Sequence, residues 1–137
     1  MNKIITVVAA LIEKDNKVLI AKRSTGDINV LGKWEFPGGK VEPNEDEIHA
    51  IEREINEEFE LEIKGNKFLI NNICEYPTKT VDLRLYQCSY LSGEFKLHDH
   101  TEYKFVEKND LLNYELCPAD IPLAKYVEEN NIWKILF

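Results

Sequence analysis

From Gly38 to Leu61 the chain reads GGKVEPNEDEIHAIEREINEEFEL, and this segment constrains the fold more than any other. At 100° per residue, Glu54, Glu57 and Glu58 fall within an arc of roughly 100° on one side of a helix. Ile48, Ile51, Ile55 and Phe59 occupy a neighbouring arc of roughly 80°. A helix patterned this way docks its apolar side on a protein body and carries its acidic side along the border. Three carboxylates held that close repel one another, so on its own the arrangement is unfavourable in water. A bound divalent cation reverses the sign. Hard oxygen donors on a rigid frame suit Mg²⁺, with Mn²⁺ as a substitute, ions that keep several waters and bridge to substrate phosphates. A plain solvated acidic face is the alternative open to any glutamate-rich helix.

The 137 residues are 44% hydrophobic, enough for one globular domain spanning 1–137 and too few for a second. A net charge of −8 argues against a nucleic-acid polymer as partner, because such a partner needs a basic face. A nucleotide is anionic too, so an enzyme acting on one needs metal and a few local cations to overcome repulsion. Cys74, Cys88 and Cys117 are odd in number and widely spaced, a pattern that suits reduced thiols in a cytoplasmic protein. Lys3 and the nine-residue run IITVVAALI imitate a signal peptide. The run lacks a small-x-small cleavage site and passes into EKDNKVLIAKR, so a first hairpin is the better reading. No apolar stretch approaches the length of a membrane span.

Periodicity and breakers predict strands near 3–13 and 17–23, then a polar loop from Ser24 to Lys33. Trp34-Glu35-Phe36 reads as a short strand before a Pro37-Gly38-Gly39 turn. The acidic helix runs from about Glu45 to Phe59, with Asn44 as N-cap. Strands follow near 61–74, 80–91 and 103–107. Asn109 or Asp110 caps a helix through Leu112, and a last helix runs from Pro118 towards Asn130. Strands and helices mix, so the fold class is α/β. The tail from Ile132 to Phe137 is apolar and packs on the domain or on a second copy, leaving monomer and homodimer both open.

The spacing around the helix is specific. Gly39, five residues, Glu45, seven residues and then Arg53-Glu54-Ile55-Asn56-Glu57-Glu58 reads G-x5-E-x7-R-E-U-x-E-E, with U aliphatic. This resembles the Nudix box of the Nudix hydrolases, which cleave nucleoside diphosphates linked to another moiety. WEFPGGK, Ala21-Lys22-Arg23 and the segment CPADIPL are similar to the MutT-type branch, which includes 8-oxo-dGTP diphosphatases and CTP pyrophosphohydrolases. PADIPL looks closer to the cytidine-nucleotide members. The likeness covers roughly residues 3–127. It implies a Nudix fold, an α/β/α sandwich with a mixed central sheet, and cleavage of a (d)NTP to NMP and pyrophosphate. One position departs: the family continues x-G-U where this chain has Phe59-Glu60-Leu61. That glycine closes the helix in a left-handed conformation, which a residue with a Cβ adopts at a cost of roughly 1 kcal/mol. Glu60 therefore puts the helix ending in question far more than the metal site.

The resemblance also implies roles. Glu54, Glu57 and Glu58 hold two or three Mg²⁺ ions against the triphosphate, and in relatives the carbonyl of the Gly39 equivalent or its neighbour reaches the metal. Arg53 orients the carboxylates and Glu45 braces it. Relatives place a late acidic residue near the metals, which corresponds here to Asp99, with Glu102 as the substitute; Asp99, Glu102 or Glu54 takes the proton from water. The Gly38-Gly39 backbone approaches the phosphates, and Arg23, at a strand end, can hold a phosphate oxygen. Asp120 stands where guanine-reading relatives place asparagine. Ionised, it only accepts and favours bases that present amino groups; protonated by burial, it also donates. Phe36, Lys79 and Tyr76 are candidates to stack on or border the base, and Phe36 reads equally as core. Two alternatives remain: a Nudix enzyme for ADP-ribose or a dinucleotide, and a non-catalytic Nudix-like reader of nucleotides or lesions.

Overall fold

The computed structural model describes residues 3–26 and 28–136, with side chains described only as far as Asn130 in the last helix. The element order is β1 (Lys3–Lys14), β2 (Lys17–Arg23), β3 (Trp34–Glu35), β4 (Gly38–Lys40) and α1 (Glu47–Phe59). There follow β5 (Glu62–Glu75), β6 (Lys79–Ser92), β7 (His100–Glu107) and α2 (Ile121–Leu136). Short 3₁₀ turns at Lys108–Asn113 and Pro118–Asp120 precede α2.

The strands form one mixed sheet in the order β3-β2-β1-β6-β5, with β4 paired to β1 and β7 to β2. Among the described strands β1 and β6 pair in parallel and the other strand pairings are antiparallel, with an isolated parallel bridge between Trp34 and Leu116. The apolar amino-terminal run is the central strand. Val8, Ala10 and Ile12 point into a core shared with Ile51, Ile55 and Phe59 of α1. Ala9 and Leu11 point the other way, into a core shared with Leu123, Ala124 and Val127 of α2. A strand buried on both faces needs apolar residues at every position, which is why this run shows no alternation. Layers of helix, sheet and helix make the expected α/β/α sandwich.

Several boundaries differ from the sequence reading, each for a local reason. α1 begins at Glu47 with Asp46 as N-cap, whose carboxylate accepts from His49 N–H at 2.8 Å. Asn44 is not the cap: it takes a left-handed φ of 63°, whereas an N-cap residue needs extended backbone. Glu45 therefore lies outside the helix. Gly38–Lys40 is a strand and not a turn, laid against Val7–Ala9 of β1. β7 starts at His100, three residues early, because it pairs along β2 as far as Arg23. The helix expected at Asn109 is a 3₁₀ turn. Asp15 and Asn16, both with positive φ, make the tight hairpin turn between β1 and β2. The expected packing of Ile132–Phe137 concerns side chains outside the described residues. Among the described residues, no helix is long and apolar enough to cross a membrane.

Burial predicts a sharp contrast between two isoleucines. Ile55→Ala, fully buried under α1, should cost about 3 kcal/mol of unfolding free energy. Ile4→Ala, 70% exposed on β1, should change it by less than about 0.5 kcal/mol. Urea denaturation of the two variants measures both.

Candidate active site

α1 and β4 bring the acidic residues together. A Cβ on Gly38 would run into the Val8 carbonyl of β1, and one on Gly39 would run into the Glu54 carboxylate. Two glycines are therefore required here by close approach: they let β4 sit against β1 while leaving room for the acidic helix. Neither has a positive φ among the described glycines, so handedness is not the reason.

Arg53 organises the ridge. Its Nε and Nη2 donate to Glu45 Oε2 and Oε1 at 2.7 and 3.0 Å, a two-pronged pairing. Nη1 donates to Glu54 Oε1 at 3.1 Å and to Glu57 Oε2 at 3.2 Å, and Nη2 also reaches the Lys40 carbonyl at 3.2 Å. Glu45 is only 8% exposed and accepts further from Glu42 N–H and His49 Nδ1. These bonds, Arg53 first, hold its carboxyl down to about 2, so it stays charged. The same contacts raise the Arg53 guanidinium above its ordinary value. Glu45 thus braces Arg53, and Arg53 aims Glu54 and Glu57, as the sequence reading expected.

Glu58 differs from its neighbours. Burial, then the negative charges of Glu35, Glu54 and Asp99, push its carboxyl up to about 8, against an opposing pull from Arg23. Burial likewise raises Glu54, whereas Glu57 is 59% exposed. Glu58 Oε2 and His100 Nδ1 are the buried side-chain polar atoms without a hydrogen-bond partner among the described residues. A buried carboxylate oxygen without a donor, beside other carboxylates, is what a site built for a hard cation presents. Glu54, Glu57, Glu58, Asp99 and the Gly39 carbonyl are hard oxygen donors and fit Mg²⁺ by chemistry. Among the described residues no three acidic, histidine or cysteine side chains stand together in a geometry that could hold a metal ion. Mg²⁺ is held through few carboxylates plus waters and substrate oxygens, so an open arrangement agrees with its use.

A cleft of about 100 Å³ opens beside this ridge, lined by Arg23, Thr25, Glu35, Gly38, Glu58, Asp99 and His100. Arg23, Gly38, Glu58 and Asp99 were expected there. Glu102 was not brought in: it lies on β7 opposite Lys22, with which it pairs at 3.3 Å. Thr25, Glu35 and His100 are the cleft residues that the sequence reading did not pick out. Glu35 accepts from Arg23 Nη1 at 3.0 Å and from His100 Nε2 at 2.8 Å, and the His100 ring stacks on Phe59 at 5.1 Å. Strand alternation carried a signal for Glu35, since it faces opposite to Trp34 and pairs with Ala21, which lies on the α1 side. His100 had no such signal before the extent of β7 was known.

Asp120 sits elsewhere, 5% exposed in the turn before α2, where Oδ2 accepts from Phe36 N–H at 2.9 Å. Burial, then the charge of Glu35, raises its carboxyl well above the ordinary range. The Phe36 ring is 2% exposed and belongs to the α2-side core. Asn72 of β5 donates to the Ala119 carbonyl at 2.9 Å, tying the end of the β5–β6 hairpin to the Asp120 turn. Tyr76 and Lys79 lie at that end, the ammonium 5.9 Å from the ring centroid.

Comparison with known proteins gives this geometry its class. Residues 2–127 match the NUDIX domain. The chain belongs to the Nudix family and is a hydrolase of its MutT-type branch. It is 36% identical over 123 residues to the CTP pyrophosphohydrolase of Escherichia coli, covering 90% of each chain. It is 34% identical over 122 residues to the putative 8-oxo-dGTP diphosphatase 2 of Mycobacterium tuberculosis, covering 83% of this chain and 81% of that one. The crystal structure of the MutT protein from Methanosarcina mazei superimposes with a TM-score of 0.81 at 27% identity, covering 97% and 96%.

The Glu58 carboxyl predicts a conflict between stability and activity. In the metal-free protein the folded state holds this proton more tightly than the unfolded chain does. The resulting penalty begins as pH rises past the ordinary glutamate value of 4.5 and is complete above about 8. At pH 7 it amounts to about 3 kcal/mol, the cost of keeping a proton that solvent would remove. Glu58→Gln should therefore melt higher than the unsubstituted protein at pH 8 in EDTA, with the difference vanishing near pH 4. Equal melting curves across that range would contradict the buried-carboxyl reading.

Proposed function

We propose that this Nudix hydrolase is a Mg²⁺-dependent nucleoside triphosphate pyrophosphohydrolase that releases NMP and pyrophosphate, with oxidised or cytidine nucleotides as its preferred substrates. The observation that carries the reading is the buried, unpartnered Glu58 oxygen in a cleft that also holds Arg23 and Asp99. Glu54, Glu57, Glu58, Asp99 and the Gly39 carbonyl would hold the metal. Bound there, Mg²⁺ supplies charge neutralisation at the phosphate oxygens and lowers the pKa of an attacking water.

The chain's own residues do the rest. Arg23, restrained by Glu35 and the Thr25 carbonyl, holds a phosphate oxygen at the mouth of the cleft. Gly38 lets the backbone approach the phosphates. Arg53 keeps Glu54 and Glu57 aimed at the metal side while Glu45 prevents it from swinging away. Glu54 or Asp99 accepts the proton of the attacking water. Glu102 does not fill that role, because it is committed to Lys22 outside the cleft.

Base choice falls to Asp120. One carboxyl oxygen is taken by Phe36 N–H, so Oδ1 is the atom a base meets. In its ionised form it accepts from an exocyclic amino group such as cytosine N4; in its protonated form it also donates to a carbonyl edge. Phe36 contributes through its backbone N–H and as buried support, not as an exposed stacking face. Tyr76 and Lys79, at the hairpin end joined to this turn, border the base. The relatives' names, which cover a CTP pyrophosphohydrolase and an 8-oxo-dGTP diphosphatase, support the same two substrate classes. The natural role is clearance of such nucleotides from the pool that feeds DNA synthesis. A single domain acting in the cytoplasm agrees with thiols that are free, two of them pushed by burial up to about 12.

Pyrophosphate release from a panel of NTPs, dNTPs and their 8-oxo, 2-hydroxy and 5-substituted forms tests the proposal. Nucleoside monophosphate and pyrophosphate are the expected products; AMP plus ribose phosphate from ADP-ribose, with no triphosphate turnover, would overturn it. Glu57→Gln should lower kcat by about a hundredfold or more, since a metal ligand at this centre is worth several kcal/mol. Near-normal turnover would remove Glu57 from the site.

A further inference from the structure

We propose that Glu60, where relatives carry glycine, is a positioning residue that tethers the segment bearing Asp99 to the end of α1. The inference rests on the reading of Asp99 as a metal-side carboxylate. Glu60 closes α1 with φ 57° and ψ 35°, the left-handed conformation that the glycine usually supplies, and its N–H donates to the Asn56 carbonyl. The helix ends in this conformation in spite of the Cβ. A substitution that strains the backbone and leaves the geometry unchanged persists where its side chain does something a hydrogen atom cannot.

That side chain reaches across to the strand-free segment between Gly93 and Asp99. Glu60 Oε2 accepts from His98 Nε2 at 2.8 Å, and Oε1 stands 3.7 Å from Lys96 Nζ. The same segment meets the helix end at two further points. Lys96 N–H donates to the Phe59 carbonyl at 3.1 Å and the Phe95 ring lies against the Phe59 ring at 6.2 Å, while His100, at the start of β7, stacks on the same ring at 5.1 Å. Asp99 itself is held on its other side, where its carbonyl accepts from Ser24 Oγ at 2.6 Å and Ser24 N–H at 3.3 Å. Asp99 is thus suspended between two anchors, Ser24 behind it and His98 on Glu60 before it. It lies close enough to Glu58 for their charges to interact. The Glu60–His98–Lys96 contacts are solvent-exposed, so they add little to overall stability. Their effect is local: they limit where the peptide adjoining Asp99 can go.

Glu60→Gly separates this role from a merely structural one, because glycine suits the left-handed helix end better than glutamate. The melting midpoint should stay level or rise. Mn²⁺ affinity in the substrate-free protein, followed by electron paramagnetic resonance, should weaken about threefold to tenfold, at the low end for an outer-shell contact. The Mg²⁺ concentration for half-maximal pyrophosphate release should rise in parallel, and amide exchange at Lys96 should quicken. Glu60→Gln, whose amide oxygen still accepts from His98, should restore most of each. In an Asp99→Asn background, Glu60→Gly should have no further effect on metal affinity. If Asp99→Asn weakens metal binding and Glu60→Gly leaves it unchanged, the tether is refuted. If Asp99→Asn itself leaves metal binding unchanged, the reading of Asp99 fails and takes the inference with it.

Discussion

The fork of Arg53 on Glu45, with bonds of 2.7 and 3.0 Å, fixes a positive charge at the centre of the carboxylate ridge. A helix with Glu54, Glu57 and Glu58 on one side would otherwise oppose its own folding. Arg53 offsets part of that repulsion while leaving Glu58 outside its reach, buried and short of a partner. The ridge is therefore largely paired through Arg53, while one buried Glu58 oxygen keeps an unmet hydrogen-bonding capacity. Glu45 matters through position as much as charge: only by standing ahead of the helix start can it face Arg53 along the axis.

The sheet converts that ridge into a cleft. β1 is apolar without a break from Val7 to Ile12 because both faces are covered there, one by α1 and the other by α2. β4 crosses its edge through two glycines that admit no side chain, and this contact sets the distance between the phosphate-side backbone and Glu54. β2 and β7 carry Arg23 and His100 to the same end of the sheet, where Glu35 of β3 joins them. Asp120, in the turn before α2, does not line that cleft, yet the charges of Glu35 and Arg23 both act on its carboxyl, so the two regions are electrostatically coupled.

The carboxylate ridge was legible from residue spacing, because helix geometry alone places positions 54, 57 and 58 together. The Arg53 and Glu45 pairing was reached through the family likeness and not through helix geometry, since Glu45 precedes the N-cap at Asp46. Asp99 was reached through family likeness, and the structure does bring it to Glu58. Glu102, equally plausible on paper, is turned away by strand register, which sets it opposite Lys22. Glu35 and His100 were missed because their partnership joins residues sixty-five positions apart.

What this chain determines by itself is local: a 3.6-residue period that clusters carboxylates, an apolar run that forms the first strand, and a glycine pair leading towards the acidic helix. What only the tertiary structure decided is which charges become buried together. Desolvation and register act on groups distant along the chain. No period or spacing can therefore announce that Glu58 will hold a proton to about pH 8 while Glu45 gives its own up near 2.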